Sequence, residues 1–328
     1  MRSNMQPTRV IFFGTGNFAV SSLRYMAKDT RYDVMLVVTQ PDRPQGRKQE
    51  YIPSPVKQAA LRLGLEVWQP ESIKEAIALA RIRSYQPDVM VLASYGKILS
   101  QEILDIAPHG ILNLHGSLLP QLRGASPIQT AIAQGYQETG VTLMVMDNKM
   151  DHGPLLAQQA LTLTGKETTP ELETLLADIG AELLRKHLQN YLDGTLAAQE
   201  QRHHAATFCQ RIKKEDGIID WEKSAVDLER HLRAYTPWPG SYTYWKGKKL
   251  TLHKALVSHE QSPLSPGTVY AMPSPSSRGS LAKIAISCGK GSLVVEEVQL
   301  EGKKLLPIEA FMRGCPKFVG GILLRAPQ

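Results

Sequence analysis

The 328-residue chain is long for one domain and comfortable for two, and 42% hydrophobic with 21% charged residues is the composition of an ordinary soluble globular protein. No window approaches the roughly 18 uninterrupted apolar residues of a membrane-spanning helix, and MRSNMQPTRV lacks the apolar stretch of a signal peptide, so the expected compartment is the cytoplasm. The net charge of +7 is unevenly placed: residues 1–195 carry 19 Lys+Arg against 19 Asp+Glu, whereas residues 196–328 carry 19 against 12. A neutral half joined to a basic half suggests a chemistry domain coupled to one that holds a polyanion, most often nucleic acid, although a merely soluble basic domain accounts for the charge equally well. Cys209, Cys288 and Cys315 are far apart and odd in number, which suggests reduced thiols rather than a zinc site or a disulfide framework.

In chain order, RVIFFG, YDVMLVVTQ, DVMVLAS, GILNLH and TGVTLMVMD read as short buried strands bounded by Gly, Pro or Asp. Helix-patterned segments lie between them: FAVSSLRYMAK, SPVKQAALRLG, KEAIALARIRSY and SPIQTAIAQG. Ser54 before Pro55 and Ser126 before Pro127 are helix-start signals. This alternation predicts an α/β, doubly wound and mostly parallel sheet, whose ligands bind beyond the carboxyl ends of the strands. A helix, TPELETLLADIGAELLRKHLQNYLDG, closes this half with Gly194 as its stop, and 196–212 reads as a linker. Over 213–328 the texture changes. IIDWEKSAVDLERHLRAY reads as one helical segment, and then come the proline-rich TPWPG and four short strand patterns, GSYTYWKGKKLTLHKA, GTVYAM, LAKIAISCG and GSLVVEEVQL. Frequent turns between short strands predict a small antiparallel barrel, and PSPSSRGS (273–280) reads as a loop.

Three places carry chemistry. The loop GTGNFA, as Gly14-x-Gly16-x-x-Ala19 between a strand and a helix, resembles a dinucleotide cradle with Asp42 as its distant acid, but a tight turn explains the glycines equally well. In ILNLHGSLLPQLRGASPIQ (111–129), Asn113 and His115 sit two apart in an apolar run, so a strand there sends both from one face at its carboxyl end. An amide donor beside an imidazole, just before Gly116, suits acyl transfer: one group for an oxyanion and one that handles protons. Downstream, VTLMVMDNKMDHGPLL offers Asp147 and Asp151. Asp147 is read as turn chemistry and Asp151 is left open between a turn and a partner for His115.

NLHGSLLPQLRGASPIQ resembles the signature of the formyltransferases that use 10-formyltetrahydrofolate to formylate amines: Asn-x-His, then Ser-Leu-Leu-Pro, then Arg-Gly-x-x-Pro. Asp151, 38 residues after Asn113, matches the third catalytic position of that family. VTQPDRPQGR, SPVKQAA, IDWEKSA, LRAYTPWPGSYT and GKKL resemble the subgroup acting on methionyl-tRNA, so the similarity covers nearly the whole chain. The sequence departs from the family pattern at Gly16, usually proline, at RKQEY after Arg47, commonly the more basic RGKKL, and at MDHGPLL, commonly LDTGDML.

The resemblance implies a Rossmann-like catalytic domain over 1–195, a linker over 196–212 and an OB-like tRNA-binding domain over 213–328. It implies Asn113, His115 and Asp151 as catalytic residues, with 10-formyltetrahydrofolate as co-substrate and initiator methionyl-tRNA as partner. No metal, membrane or obligate protein partner is implied. Backbone around Tyr95, Gly96, Lys97, Ile98 and Leu99 is expected to meet the pterin, and Ser117, Leu118, Leu119 and Pro120 to line the folate pocket. Arg47, Lys246, Lys248 and Lys249 are the expected tRNA contacts. A formyltransferase acting on a nucleotide sugar or glycinamide ribonucleotide would share the first site but leave the basic half unexplained. A nicotinamide-dependent dehydrogenase would explain GTGNFA but give Asn113, His115 and Asp151 no joint role.

Overall fold

The structure, a computed structural model, describes residues 6–45, 50–272 and 283–327. Two compact units emerge. One takes the segments ending at Pro127, Glu138–Thr162 and Glu171–Gln210, and the other takes Ile128–Gln137, Leu163–Pro170 and the chain from Arg211 onward.

In chain order, β1 (Thr8–Gly14), α1 (Val20–Lys28) and β2 (Tyr32–Val38) lead into a short hairpin, β3 (Arg43–Gln45) and β4 (Glu50–Ile52). Next come α2 (Pro55–Arg62), β5 (Val67–Trp68), α3 (Ala76–Ser84), β6 (Val89–Ala93), α4 (Gln101–Leu104) and β7 (Ile111–His115). The two-residue β8 (Arg123–Gly124), α5 (Pro127–Ala133), β9 (Glu138–Val145), β10 (Leu155–Thr162) and α6 (Thr169–Leu192) follow. Seven strands form one sheet in the order β10-β9-β7-β6-β1-β2-β5. The five from β7 to β5 are parallel, as the alternating pattern predicts, while β9 runs antiparallel to β7 and β10 antiparallel to β9. β6 and β7 are buried at every position, which is why β6 reads as a continuous apolar run and only Asn113 and His115 interrupt that pattern in β7. β1, β6 and β7 therefore end together, at Gly14, Ala93 and His115, on the edge where such sheets bind ligands.

The stretch expected as a linker is folded onto this unit as far as Gln210. Leu155 and Gln199 exchange backbone bonds of 2.7 and 2.8 Å, Thr207 N–H donates to the Pro120 carbonyl, and β11 (Phe208–Cys209) pairs in parallel with β8. The order comes from pairing with distant loops rather than from an apolar period of its own, so periodicity could not reveal it.

In the second unit, α7 (Ala225–Ala234) precedes β12 (Ser241–Trp245), β13 (Lys248–Ser258), β14 (Val269–Met272), β15 (Lys283–Ser287), β16 (Ser292–Leu300), β17 (Leu306–Pro307) and α8 (Ile308–Gly314). The strands form an antiparallel sheet in the order β12-β13-β16-β15-β14, with β17 on β16. Residues 320–324 join its two edges: Leu324 and Tyr244 exchange bonds of 2.8 and 2.9 Å beside β12, while Gly320 N–H donates to Val269 O in β14 at 2.8 Å. This segment closes the sheet in a barrel-like way, satisfying Tyr244 on one edge and Val269 on the other. Trp245, Phe311 and Phe318 meet edge to face in the core, at centroid distances of 5.1–6.1 Å.

The helix expected from residue 218 begins only at Ala225, where the Ser224 hydroxyl caps it by accepting from Asp227 N–H at 3.1 Å. Before it, Ile218 bridges to Tyr242, and Ile219 and Trp221, two apart, are buried in the manner of extended chain. Arg47 and the loop expected at 273–280 lie outside the described residues.

Candidate active site

Asn113 and His115 leave the same face of β7, and both are buried, at 6% exposure each. The opposite face carries Leu112 and Leu114 into the core. Beyond β9 the chain turns back at Gly153, where a Cβ would lie 2.0 Å from the Val145 carbonyl, so only glycine permits so tight a return. That turn brings Asp151 beside β7. One carboxylate oxygen, Oδ1, accepts from Asn113 Nδ2 at 3.4 Å and lies 3.6 Å from His115 Nδ1; the other, Oδ2, accepts from Gly124 N–H at 2.8 Å. Amide, imidazole and carboxylate thus meet around one point at the strand ends.

The remaining ring nitrogen decides what His115 can do. His115 Nε2 is 2.9 Å from the Leu122 carbonyl, which can only accept, so Nε2 carries a hydrogen and Nδ1 is the nitrogen free to gain or lose a proton against Asp151. Two non-glycine residues hold left-handed backbone here, Leu122 at φ +56° and Asp151 at φ +48°. Such conformations cost about 1–3 kcal/mol each and persist where surrounding bonds enforce them. Asp147 does what turn chemistry predicts instead, accepting from Lys149 N–H and pairing with His152 Nδ1. Among the described residues, no cluster of three or more His, Cys, Asp or Glu side chains is placed to hold a metal ion. No helix among them is long and apolar enough to cross a membrane.

The dinucleotide-like features are occupied by the protein itself. Glu173 from α6 accepts from Phe18 N–H at 3.2 Å, in the loop where a pyrophosphate would need that donor. Burial pushes the Glu173 carboxyl above its ordinary range, partly offset by that bond. Asp42 is held by Lys57 Nζ and by Gln69 Nε2 at 2.8 Å. Burial alone would raise its pKa, but these partners outweigh it and lower it.

Of the residues expected at the folate, Tyr95 and Leu99 point into the core, at 1% and 5% exposure. The Tyr95 phenol is pushed up to about 12 by burial, and its carbonyl already accepts from Thr15 Oγ1 and Gln40 Nε2. Gly96 adopts φ +79°, Lys97 reaches the Pro70 and Glu71 carbonyls, and Ile98 is exposed. Ser117 donates to the Gln121 carbonyl, and Leu119 is tied on both sides, its N–H to Thr142 Oγ1 and its carbonyl to Gln158 Nε2. That leaves the half-buried Leu118 and Pro120 as the accessible part of this segment. In the second unit Lys246 and Lys248 are exposed, while Lys249 is half-buried with Nζ 3.8 Å from the centre of the Tyr242 ring. Burial, with Lys214 nearby, pushes the Lys249 ammonium below its ordinary value. Sequence reasoning missed Gly124 N–H and the Leu122 carbonyl, which are backbone groups with no residue signature.

Residues 8–188 match the formyl transferase family model and residues 211–316 that of the formyl transferase C-terminal domain. The methionyl-tRNA formyltransferase of Roseiflexus castenholzii is 44% identical, covering 95% of this chain and 97% of its own, and that of Myxococcus xanthus is 43% identical over 94% and 96%. Among solved structures, HypX from Aquifex aeolicus in complex with tetrahydrofolic acid superposes with a TM-score of 0.61 at 17% identity, over 97% of this chain and 48% of that one. This chain therefore spans about half of HypX. A Helicobacter canadensis N-formyltransferase, in complex with folinic acid and dTDP-3-aminofucose, gives a TM-score of 0.61 at 20% identity, over 88% and 98%. At such low identities these two structures speak for the fold alone. With identity above 40% along nearly its full length to the Roseiflexus and Myxococcus enzymes, the chain belongs to the methionyl-tRNA formyltransferase family.

Proposed function

We propose that this protein transfers the formyl group of 10-formyltetrahydrofolate to the amino group of initiator methionyl-tRNA, in the cytoplasm, with Asn113, His115 and Asp151 as the catalytic residues. The observation that carries this reading is the single carboxylate oxygen of Asp151 facing both Asn113 Nδ2 and His115 Nδ1. Both approaches are long for charge-assisted hydrogen bonds, so the two donors keep capacity for a developing oxyanion, and such contacts commonly tighten in the reacting complex.

In this mechanism the methionyl amine attacks the formyl carbon and a C–N bond forms. The carbonyl oxygen becomes an oxyanion held by Asn113 Nδ2–H and by the Nδ1–H of protonated His115. Asp151 takes the proton that the attacking nitrogen must lose, and the bond to folate N10 breaks as that nitrogen gains a proton from the imidazolium or through water. The products are N-formylmethionyl-tRNA and tetrahydrofolate, and the activated carbon arrives with the folate, so the residues need only orient, stabilise charge and move protons. Backbone at Gly96, Lys97 and Ile98 with the edges of Leu118 and Pro120 is the proposed folate contact, alongside the buried Tyr95, Leu99, Ser117 and Leu119 that shape it. Arg47, Lys246, Lys248 and Lys249 are the proposed tRNA contacts. The test offers the enzyme charged initiator tRNA against nucleotide-sugar and ribonucleotide amines. Faster formylation of any small amine would overturn the tRNA reading.

A further inference from the structure

The strap between α6 and the second unit holds both loops of the proposed active site, and one side chain in it bonds to both. Gln201 is 5% exposed. Its amide nitrogen donates to the carbonyls of Asp151 at 3.0 Å and Gly153 at 2.7 Å, and its amide oxygen accepts from Arg123 Nη2 at 2.6 Å. Those three bonds span the turn carrying Asp151 and the segment whose Leu122 carbonyl anchors His115 and whose Gly124 N–H binds Asp151. Arg123 is itself 4% exposed, with its Nε buried and unpartnered; its Nη2 also meets His203 Nδ1 at 2.9 Å. Nearby, Thr207 Oγ1 accepts from Leu122 N–H at 2.8 Å. A left-handed Asp151 and a left-handed Leu122 are thus each pinned from the same strap, and a buried side chain with both donors and its oxygen engaged has little freedom to let them drift.

We infer that Gln201 is a positioning residue for the transfer reaction: bridging Arg123 to the backbone of Asp151 and Gly153, it sets where the Asp151 carboxylate stands against Asn113 and His115. The inference rests on the catalytic reading above. Gln201→Glu keeps the acceptor on Arg123 Nη2 and removes both donors to the turn; Gln201→Met removes donors and acceptor at similar bulk. Turnover of charged tRNA is measured for the full chain, in the wild type and with Asp151→Asn added. A misplacement on the order of 1 Å costs up to about a hundredfold in rate, so kcat is expected to fall about ten- to a hundredfold for Gln201→Glu, with KM for tRNA and folate holding within about twofold. In the Asp151→Asn background the same change should cost almost nothing, because the group it positions has already lost its charge. Unchanged kcat in folded Gln201→Glu and Gln201→Met proteins would overturn the inference, as would an equal loss in both backgrounds, the mark of general destabilisation. Near-wild-type turnover in Asp151→Asn alone would instead fault the catalytic assignment, and the inference with it.

Discussion

His115 and Asp151 face each other across 3.6 Å, between Nδ1 and Oδ1, while the other nitrogen of the ring is bonded to the Leu122 carbonyl at 2.9 Å. With Nε2–H spoken for, every proton that His115 exchanges must pass through the nitrogen that faces the carboxylate. Asn113 adds a neutral donor to the same oxygen, so charge and hydrogen bonding concentrate at the strand end, where the proposed mechanism puts the reacting carbonyl carbon. Removing one such donor typically costs a hundredfold to a thousandfold in kcat, or roughly 3–4 kcal/mol. Asn113→Ala and His115→Ala should each show a loss of that order in single-turnover formylation, measured below the melting transition of each variant because both side chains are buried. Near-normal rates in either would refute its role at the oxyanion.

Gly124 tests whether backbone geometry matters as much as the side chains. It sits at φ +122°, and a Cβ there would lie 2.1 Å from the Cys209 carbonyl. Gly124→Ala must therefore push β8 and β11 apart and move the N–H that binds Asp151 Oδ2. Strain of this kind costs on the order of 1–3 kcal/mol of stability. Turnover should fall by more than the unfolded fraction explains, measured below the melting transition. Full specific activity in the folded variant would show that this donor is dispensable.

The parts of the site legible in the sequence are those where residue type and period coincide. Asn113 and His115 stand out because two polar side chains interrupt an apolar strand at a spacing of two. Of the two aspartates after β9, Asp147 reads as turn chemistry while Asp151 stays open between a turn and a partner for His115; the resemblance favours Asp151, and the return at Gly153 is what brings it beside β7. Gln201 was invisible because it lies 50 residues downstream in a segment without period, and its bonds are to backbone. β10 was missed for a similar reason: LLAQQALT has no β-branched residue before its last position and takes its strand form from pairing with β9. Gly14 and Gly16 suggested a phosphate cradle, but a glycine turn carries no sign of what fills it, and here a distant glutamate does.

His231 gives the second unit a pH-dependent stability. Burial depresses its pKa from the ordinary 6.5 to about 4, the bond to the Asp216 carbonyl recovering part of the shift. Nε2–H donates to that carbonyl at 2.9 Å and Nδ1 lies 2.8 Å from Ser241 Oγ, while burial favours the neutral ring over the charged one. Between these two values the unfolded chain binds a proton that the folded chain refuses, so stability is complete above about 6.5 and is lost as pH falls toward about 4. Comparing urea unfolding at about pH 7 and about pH 4.5, the wild type should lose roughly 2 kcal/mol more than His231→Gln. Parallel losses in the two proteins would assign the acid sensitivity to other groups.

The lysines of the β12–β13 hairpin should not contribute equally to tRNA binding. Lys246 and Lys248 are exposed, and although Lys246 Nζ lies 4.9 Å from the centre of the Trp245 ring, it remains open to solvent. Lys249 is different: its ammonium rests 3.8 Å from the centre of the Tyr242 ring, is half-buried, and must leave that ring to meet a phosphate. Each phosphate neutralised by a lysine releases condensed counterions, which adds about 0.7–0.9 to the slope of log affinity against log salt. Lys246→Ala and Lys248→Ala should each flatten the slope by nearly one unit, whereas Lys249→Ala should change it by less than about half a unit. Binding of charged tRNA across a salt series measures all three. A full unit lost on replacing Lys249, with no change for the other two, would reverse the assignment and place the nucleic acid against the Tyr242 side of the hairpin.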